Sequence, residues 1–393
     1  MPEPHLESQR IYLDNAATSW PKPPEVYAAV ERAMRVLGAP AGRGTYHEAA
    51  EVQRGVADAR RRIARLINAA DPRRVIFTSN GTDSLNLALH GFLRPGDHVV
   101  TTVAEHNSVL RPLHFLRQHR DVTATYVPCD AAGFVDPDVI RQAITDRTRL
   151  IAVVHASNVT GAVQPIETIG QIADERGIRF LVDAAQSLGH VELDVRQSHI
   201  DMLAAPGHKG LLGPLGTGVL YVGEGVEAEL LPTRQGGTGT TSESESQPDT
   251  LPDRYESGNH NVPGLLGLAA GVRFVEQQGV ARLRADAASL TQRLLDGLAA
   301  IEKVQLFGPR DSTARIGVVS FRLTGLDPHD LASMLDTGFA IQTRAGLHCA
   351  PRMHQHLGTA SDGGTLRISI GPFNTAAEID KVVEAVANLA TIV

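Results

Sequence analysis

The sequence is poor in cysteine. Only two occur in 393 residues, Cys129 and Cys349, too few for a disulfide framework or a structural zinc site, so each is read as a free thiol and no metal centre is expected. No stretch reaches the ~18 to 20 apolar residues that a membrane helix requires. The opening run MPEPHLESQR has no apolar signal segment either, so the expectation is a cytoplasmic protein without a membrane partner. Surplus positive charge is also missing, with 37 basic against 44 acidic residues and a net charge of -7. The densest basic run, Arg60-Arg61-Arg62, lies in a helical pattern beside acidic neighbours, which argues against nucleic acid as a partner. Nothing in the composition marks disorder or collagen-like repetition: 42% hydrophobic and 21% charged residues are ordinary for a folded, water-soluble chain.

A chain of this length exceeds one ordinary hydrophobic core. Two domains are expected, a large one over residues 20–260 and a smaller α+β one formed by 1–19 with 261–393. Between about residues 74 and 223, seven short β-branched runs alternate with amphipathic segments: RRVIFTS, DHVVTTVAE, TATYVPCD, RLIAVVHAS, IRFLVDAAQ, IDMLAAPG and GTGVLYVG. Several are apolar almost throughout, the pattern of strands buried on both faces of a sheet between helices. Thr82–His90 and Pro165–Glu175 carry apolar residues at helical spacing, with Gly91 and Gly177 placed as C-terminal caps. Residues 234–249, RQGGTGTTSESESQPD, have no apolar periodicity and read as a long exposed loop. Beyond it, Gly264–Gln278, Ala281–Ile301 and Ala376–Ala390 read as helices. The runs RIGVVSFRL, FAIQTRAGLHC and TLRISIG read as strands.

Lys209 stands just after a buried strand in Pro206-Gly207-His208-Lys209-Gly210. Alone it is a solvated lysine in a turn. Upstream, however, Asp183 ends an apolar strand in Leu181-Val182-Asp183-Ala184-Ala185-Gln186, where an unpaired carboxylate costs several kcal/mol. A pyridoxal 5'-phosphate ring meets both needs: its protonated pyridine nitrogen faces a carboxylate, and the ring then serves as an electron sink. In Phe77-Thr78-Ser79-Asn80-Gly81-Thr82 a strand end runs into a helix, whose first-turn N–H groups suit a phosphate, with Gly81 allowing close approach and Thr82 adding a hydroxyl. By itself that segment is equally an N-cap. His106 offers an imidazole to stack on a ring and move protons, or a satisfied structural histidine. Asn158 offers an amide to a substrate carboxylate. Five strand-end loops with compatible chemistry match the place where open α/β sheets bind ligands.

From Tyr12-Leu13-Asp14-Asn15-Ala16-Ala17-Thr18 to Gly371-Pro372-Phe373-Asn374-Thr375, nearly the whole chain resembles the cysteine desulfurases and selenocysteine lyases, class V aminotransferases of the fold-type I pyridoxal-phosphate architecture. The resemblance implies a large domain with a seven-stranded, mostly parallel sheet, and a homodimer with sites near the interface. It implies Lys209 as the Schiff-base lysine, Asp183 at the ring nitrogen, Gln186 at the ring hydroxyl and His106 as the stacking acid/base. Thr82, the Gly81 backbone and His208 resemble the phosphate ligands. Asn158 and Arg367 are similar to the groups that bind the amino-acid carboxylate, for which a guanidinium is suited by its paired donors. Arg344 is placed with them near the substrate.

Cys349, in Thr343-Arg344-Ala345-Gly346-Leu347-His348-Cys349-Ala350-Pro351, resembles the cysteine of the short group II loop. Arg344 and His348 are the cations expected to raise its thiolate fraction, against a reading as packing cysteine; Cys129 reads as packing. The sequence departs from the family at Pro206, where a phosphate hydroxyl is usual, at Val262, where the partner subunit usually lends a threonine, and at Leu347, where a histidine is frequent. The implied reaction takes sulfur from L-cysteine to give L-alanine and a Cys349 persulfide, which passes to an acceptor protein. Selenocysteine lyase, another carbon–sulfur lyase and a non-catalytic sulfur-assembly scaffold are the alternatives.

Overall fold

The computed structural model describes residues 10–42 and 44–392. The first nine residues, assigned above to the smaller domain and read for a signal segment, lie outside the described residues. A two-residue strand, β1 (Ile11–Tyr12), opens the chain. The seven segments expected as strands then form β2 (Val75–Thr78), β3 (His98–Thr102), β4 (Thr123–Val127), β5 (Thr148–Val154), β6 (Arg179–Asp183), β7 (Met202–Pro206) and β8 (Gly218–Val222). They make one sheet in the order β2-β8-β7-β6-β5-β3-β4. Only β8 runs against the rest, pairing antiparallel with both β2 and β7. Strands β3, β7 and β8 are buried along their whole length and β6 from Phe180 onward, whereas β4, at the edge, is half-exposed and carries Thr123, Thr125 and Tyr126. The continuous apolar runs follow from helices covering both faces of the sheet.

Helices cover both faces. Helix Gly81–Phe92 is expected to end at Gly91, but it continues one residue further and is capped by Leu93. Gly91 is there for another reason: a Cβ on it would stand 2.4 Å from the Leu231 carbonyl oxygen. Gly177 does end its helix. After Ile166–Glu175 it takes φ +62°, its N–H donates to Asp174 O, and the Ile178 N–H donates to Ala173 O, the paired bonds of a Schellman cap.

The remaining strands, β9 (Val304–Phe307), β10 (Val318–Leu323), β11 (Ile341–Gln342), β12 (Arg344–Gly346) and β13 (Thr365–Ser369), belong to a smaller unit. Four form an antiparallel sheet in the order β12-β13-β10-β9, and β11 pairs with β1. Helices Val280–Ala299, Pro328–Phe339 and Ala376–Ala390 cover it around Leu294, Leu331, Phe321, Ile368 and Val382. The boundary expected at residue 261 does not match this packing. Helix Val262–Gln278 lies against helices Pro24–Arg32 and His47–Leu66 and buries Val262, Leu265, Leu268 and Val272 in the core of the large sheet. Its apolar residues pack where the large layer needs a cover, so the smaller unit begins after Gln278. Among the described residues no helix is long and apolar enough to cross a membrane, and no cluster of side chains could hold a metal ion.

Candidate active site

The carboxyl ends of β2, β3, β5, β6 and β7 open into one cavity lined by Gly81, Thr82, His106, Ser108, Asn158, Asp183, Gln186, His208 and Lys209. Every residue proposed for the cofactor is therefore brought together, because parallel strands present their ends on one edge of the sheet.

Asp183 is 3% exposed, and among the described residues the one hydrogen bond to its carboxylate is from the Ala185 N–H at 2.9 Å. Burial pushes its carboxyl pKa up, while that N–H and the Lys209 charge oppose the rise. Burial takes Lys209 down to about 8, with Asp183 acting against it and Arg367 and Arg344 adding to it. At pH 7 about a tenth of Lys209 is then the free amine that attacks a carbonyl, far more than of an ordinary lysine. Burial, with Lys209 nearby, lowers His106 to about 4. Its Nδ1 accepts the Ser108 N–H at 3.0 Å and pairs with Ser108 Oγ at 2.9 Å. The neutral ring therefore carries its proton on Nε2.

Helix Gly81–Phe92 points its N-terminus into the cavity. Its cap is Asn80, whose side chain accepts the Asp83 N–H at 2.9 Å. Thr82 is thus released from capping, and its hydroxyl meets Ser108 Oγ at 2.7 Å. A Cβ on Gly81 would lie 3.1 Å from Pro206 Cδ, so the strand end where a hydroxyl is usual packs against the glycine instead. His208, lowered to about 4 chiefly by burial, has a buried Nδ1 without a partner among the described residues. Gln186 donates through Nε2 to Ala16 O at 2.9 Å, so part of its amide is already engaged.

The smaller unit contributes the rest. Antiparallel β12 and β13 set Arg344 directly opposite Arg367. Arg367 is 1% exposed and bonds Asp14 Oδ1 at 2.6 Å and Asn158 O at 3.2 Å, yet its buried Nε has no partner among the described residues. Two facing guanidiniums repel unless an anion joins them. Cys349 is half-buried and opens onto a cleft that shares Thr82, His106 and Ser108 with the Lys209 cavity. Arg344 Nη2 lies 3.7 Å from its Sγ. His348 does not supply the second positive charge expected there. Its Nε2 bonds Thr365 Oγ1 at 3.1 Å, and burial drives it down to about 2, so it is neutral. His348 and Cys349 both hold left-handed backbone, φ +47° and +59°, sparsely populated for side-chain-bearing residues. The turn is held by Asn107 N–H to Cys349 O at 2.7 Å and Asn158 Nδ2 to His348 O at 2.6 Å. Asn158 thus spends a donor on the cysteine loop. Cys129, buried with its thiol raised to about 12 mainly by burial, is packing as expected.

Three participants escaped the sequence reading. Ser108 joins Thr82 to His106, and Asp14 pairs with Arg367; neither contact leaves a local pattern. Glu105 is fully buried, and its Oε1 accepts Thr102 Oγ1 at 2.7 Å and the Val154 N–H at 3.0 Å, tying β3 to β5. Its position next to His106 was the one visible signal.

The donor set fits pyridoxal phosphate: a lysine amine without a described partner, a buried carboxylate on the neighbouring strand, an orphaned His208 nitrogen, and a helix N-terminus with a hydroxyl not used in capping. Sheet order and site together define the fold-type I architecture. The family model for aminotransferase class-V matches residues 11–382. The chain is 38% identical to a probable cysteine desulfurase of Methanothermobacter thermautotrophicus, over 98% of this chain and 96% of that protein. A probable cysteine desulfurase of Pyrococcus abyssi is 35% identical over 95% of this chain and 93% of that protein. Among solved structures, the apo cysteine desulfurase from Thermococcus onnurineus NA1 superposes with a TM-score of 0.92 at 34% identity, covering 98% of this chain and 95% of that one. The cysteine desulfurase CsdA of Escherichia coli, solved as an S-sulfonic acid, gives 0.88 at 30% identity over the same shares of the two chains. The chain belongs to the class-V aminotransferase family, in its cysteine desulfurase branch.

Proposed function

We propose that the chain is a pyridoxal-phosphate-dependent cysteine desulfurase. The observation that carries this reading is the meeting of two sites: the Lys209–Asp183 pair at the sheet edge, and a half-buried cysteine brought beside it by the smaller unit. Lys209 would hold the cofactor, with Asp183 at its ring nitrogen, Gln186 at its ring hydroxyl, and Thr82, the Gly81 N–H and His208 around its phosphate. When bound, the cofactor supplies an electron sink for the substrate Cα. Lys209, drawn down to about 8, and His106, a neutral imidazole with its proton on Nε2, would be the groups that move the α-proton. Arg367, through its free Nε, and Arg344 bind the substrate carboxylate, which also relieves their mutual repulsion.

The Cys349 thiolate then attacks the substrate sulfur. A sulfur–sulfur bond forms, the carbon–sulfur bond breaks with its electron pair left on carbon, and that carbon is reprotonated to L-alanine. The persulfide sulfur leaves to an acceptor thiol or a reductant. The two free thiols suit a reducing compartment such as the cytoplasm. Exposed Tyr27, Met34 and Val36 near the first helix support a homodimer, whose partner surface the 234–249 loop would help to form; Val262, buried in its own subunit, cannot contribute across it. Light scattering on the purified protein should give twice the chain mass, and a fully active monomer would refute this.

The decisive assay adds L-cysteine and a reductant to purified protein and measures alanine and sulfide. Equal yields are expected, and Cys349→Ala should keep the cofactor's visible absorbance yet lose about a hundredfold or more of sulfide release. Full turnover by that variant, or turnover on selenocysteine alone, would overturn the assignment of Cys349.

A further inference from the structure

The segment before the first helix grips the Lys209 loop through contacts that the proposed reaction leaves unused. The His208 carbonyl accepts the Ser19 N–H at 3.1 Å, Thr18 Oγ1 at 3.2 Å and the Lys22 ammonium at 2.9 Å. Lys22 Nζ also donates to Ser19 Oγ at 2.7 Å. That hydroxyl lies 3.1 Å from the His208 carbonyl and 3.0 Å from the Lys209 carbonyl. A hydroxyl has one proton to give, and the His208 oxygen is already served by three other donors, so the Ser19 proton goes to Lys209. A chain therefore runs from the Lys22 ammonium through the Ser19 hydroxyl to the carbonyl of Lys209 itself.

Residues 208–210 lie past the end of β7, beyond the last cross-strand bond from the Gly207 N–H to Thr217 O at 2.8 Å. The one other described hydrogen bond on the Lys209 carbonyl is from the Leu212 N–H at 2.9 Å. Lys22 is half-buried, its ammonium is drawn down to about 8 by that burial, and among the described residues no carboxylate pairs with it. Its charge reaches the cavity: after burial and Lys209, it is the remaining cause that holds the His208 imidazole low. A cation kept half-buried beside an anion-binding loop, without an anion of the protein's own, is complemented by the phosphate that the loop would receive.

We propose that Lys22 is a positioning residue for Lys209, fixing the carbonyls on either side of the His208–Lys209 peptide through its own ammonium and the Ser19 hydroxyl, and laying a positive charge beside the bound anionic cofactor. The inference rests on the reading of Lys209 as the cofactor lysine.

The test uses holoenzyme carrying Lys22→Met, Lys22→Arg or Ser19→Ala. Three quantities are read: the pKa of the Lys209–cofactor Schiff base from visible absorbance against pH, the rate of cofactor release on dilution, and the melting temperature. Removing a nearby positive charge favours the protonated Schiff base, so Lys22→Met should raise that pKa by about half a unit. Release should be about tenfold faster, the worth of one charge-assisted hydrogen bond. Lys22→Arg should restore both to within about twofold of the original behaviour. Ser19→Ala, which keeps the charge, should speed release without moving the pKa, and it carries the decision on release if Lys22→Met does not fold. A lowered melting temperature with unchanged pKa and release in Lys22→Met, or unchanged release in Ser19→Ala, would make the contacts packing only. Absence of any visible band in the unmodified protein would instead sink the reading of Lys209 itself.

Discussion

Arg367 shows how much chemistry a single residue acquires from its surroundings. It is almost wholly enclosed, held by Asp14 and the Asn158 carbonyl, and keeps one buried Nε–H without an acceptor. Such a donor is costly to bury unless a ligand takes it. Arg367→Lys retains the charge but loses the fork, so kcat/KM for cysteine is expected to fall about 10- to 100-fold, mostly through KM. Steady-state kinetics decides this; a loss confined to kcat with KM unchanged would move Arg367 away from substrate binding. At this scale the types of Lys209, Asp183, His106 and Cys349 were legible in the sequence because each is chemically odd for its place. Their partners were not. Ser108 and Asp14 act through contacts to residues far along the chain or on another element, and His348 is silent as a cation because burial, with Arg367, His354 and Arg344 nearby, keeps it neutral against the opposing bond from Thr365.

Elements place these residues by their ends. His106 is both the N-cap of helix Asn107–His119 and a wall of the cavity, so a structural role and a place in the cavity do not exclude each other. Asn80 caps helix Gly81–Phe92 and leaves Thr82 free. Within that helix, Gly91→Ala should gain about 1 kcal/mol of helix propensity. Its new Cβ, however, would meet the Leu231 carbonyl oxygen at 2.4 Å and Leu230 Cδ1 at 2.9 Å, and the carbonyl belongs to backbone that cannot rotate away. The net result is expected to be a loss of about 1–3 kcal/mol, read as a lower midpoint in urea unfolding; a gain in stability would show that the 226–231 segment yields easily. Helical periodicity located this helix, but a glycine at a helix end reads alike as cap or as close contact until the neighbouring chain is in place.

For the molecule as a whole, Glu105 ties stability to pH. Burial raises its carboxyl from 4.5 to about 8, against the opposing bonds from Thr102 and Val154. The native state therefore holds a proton that the unfolded chain releases above its ordinary pKa. This contribution is fully present below 4.5 and is lost as pH rises towards about 8. Glu105→Gln, neutral at every pH, should remove the slope: between about pH 5 and about pH 8 the unmodified protein should lose a few kcal/mol relative to the variant, measured by urea midpoints at both pH values. Equal slopes would mean that Glu105 is ionised in the fold.

The seven strands, the flanking helices and the residue types of the site were determined by the sequence alone, because burial on both faces and strand-end chemistry are written into local patterns. The order of the sheet, the boundary after Gln278 and the meeting of Cys349 with Lys209 were decided only by the tertiary structure. Helix Val262–Gln278 is apolar enough to cover either unit, and packing against helices Pro24–Arg32 and His47–Leu66 settles which. Cys349 reaches a cleft that adjoins the Lys209 cavity because β12 and β13 carry the cysteine loop onto the carboxyl edge of a sheet built from residues far earlier in the chain. No local pattern records so long a closure, since its reward is shared among contacts such as Asn107 to Cys349, Asn158 to His348 and Arg367 to Asp14 that exist only once both units have formed.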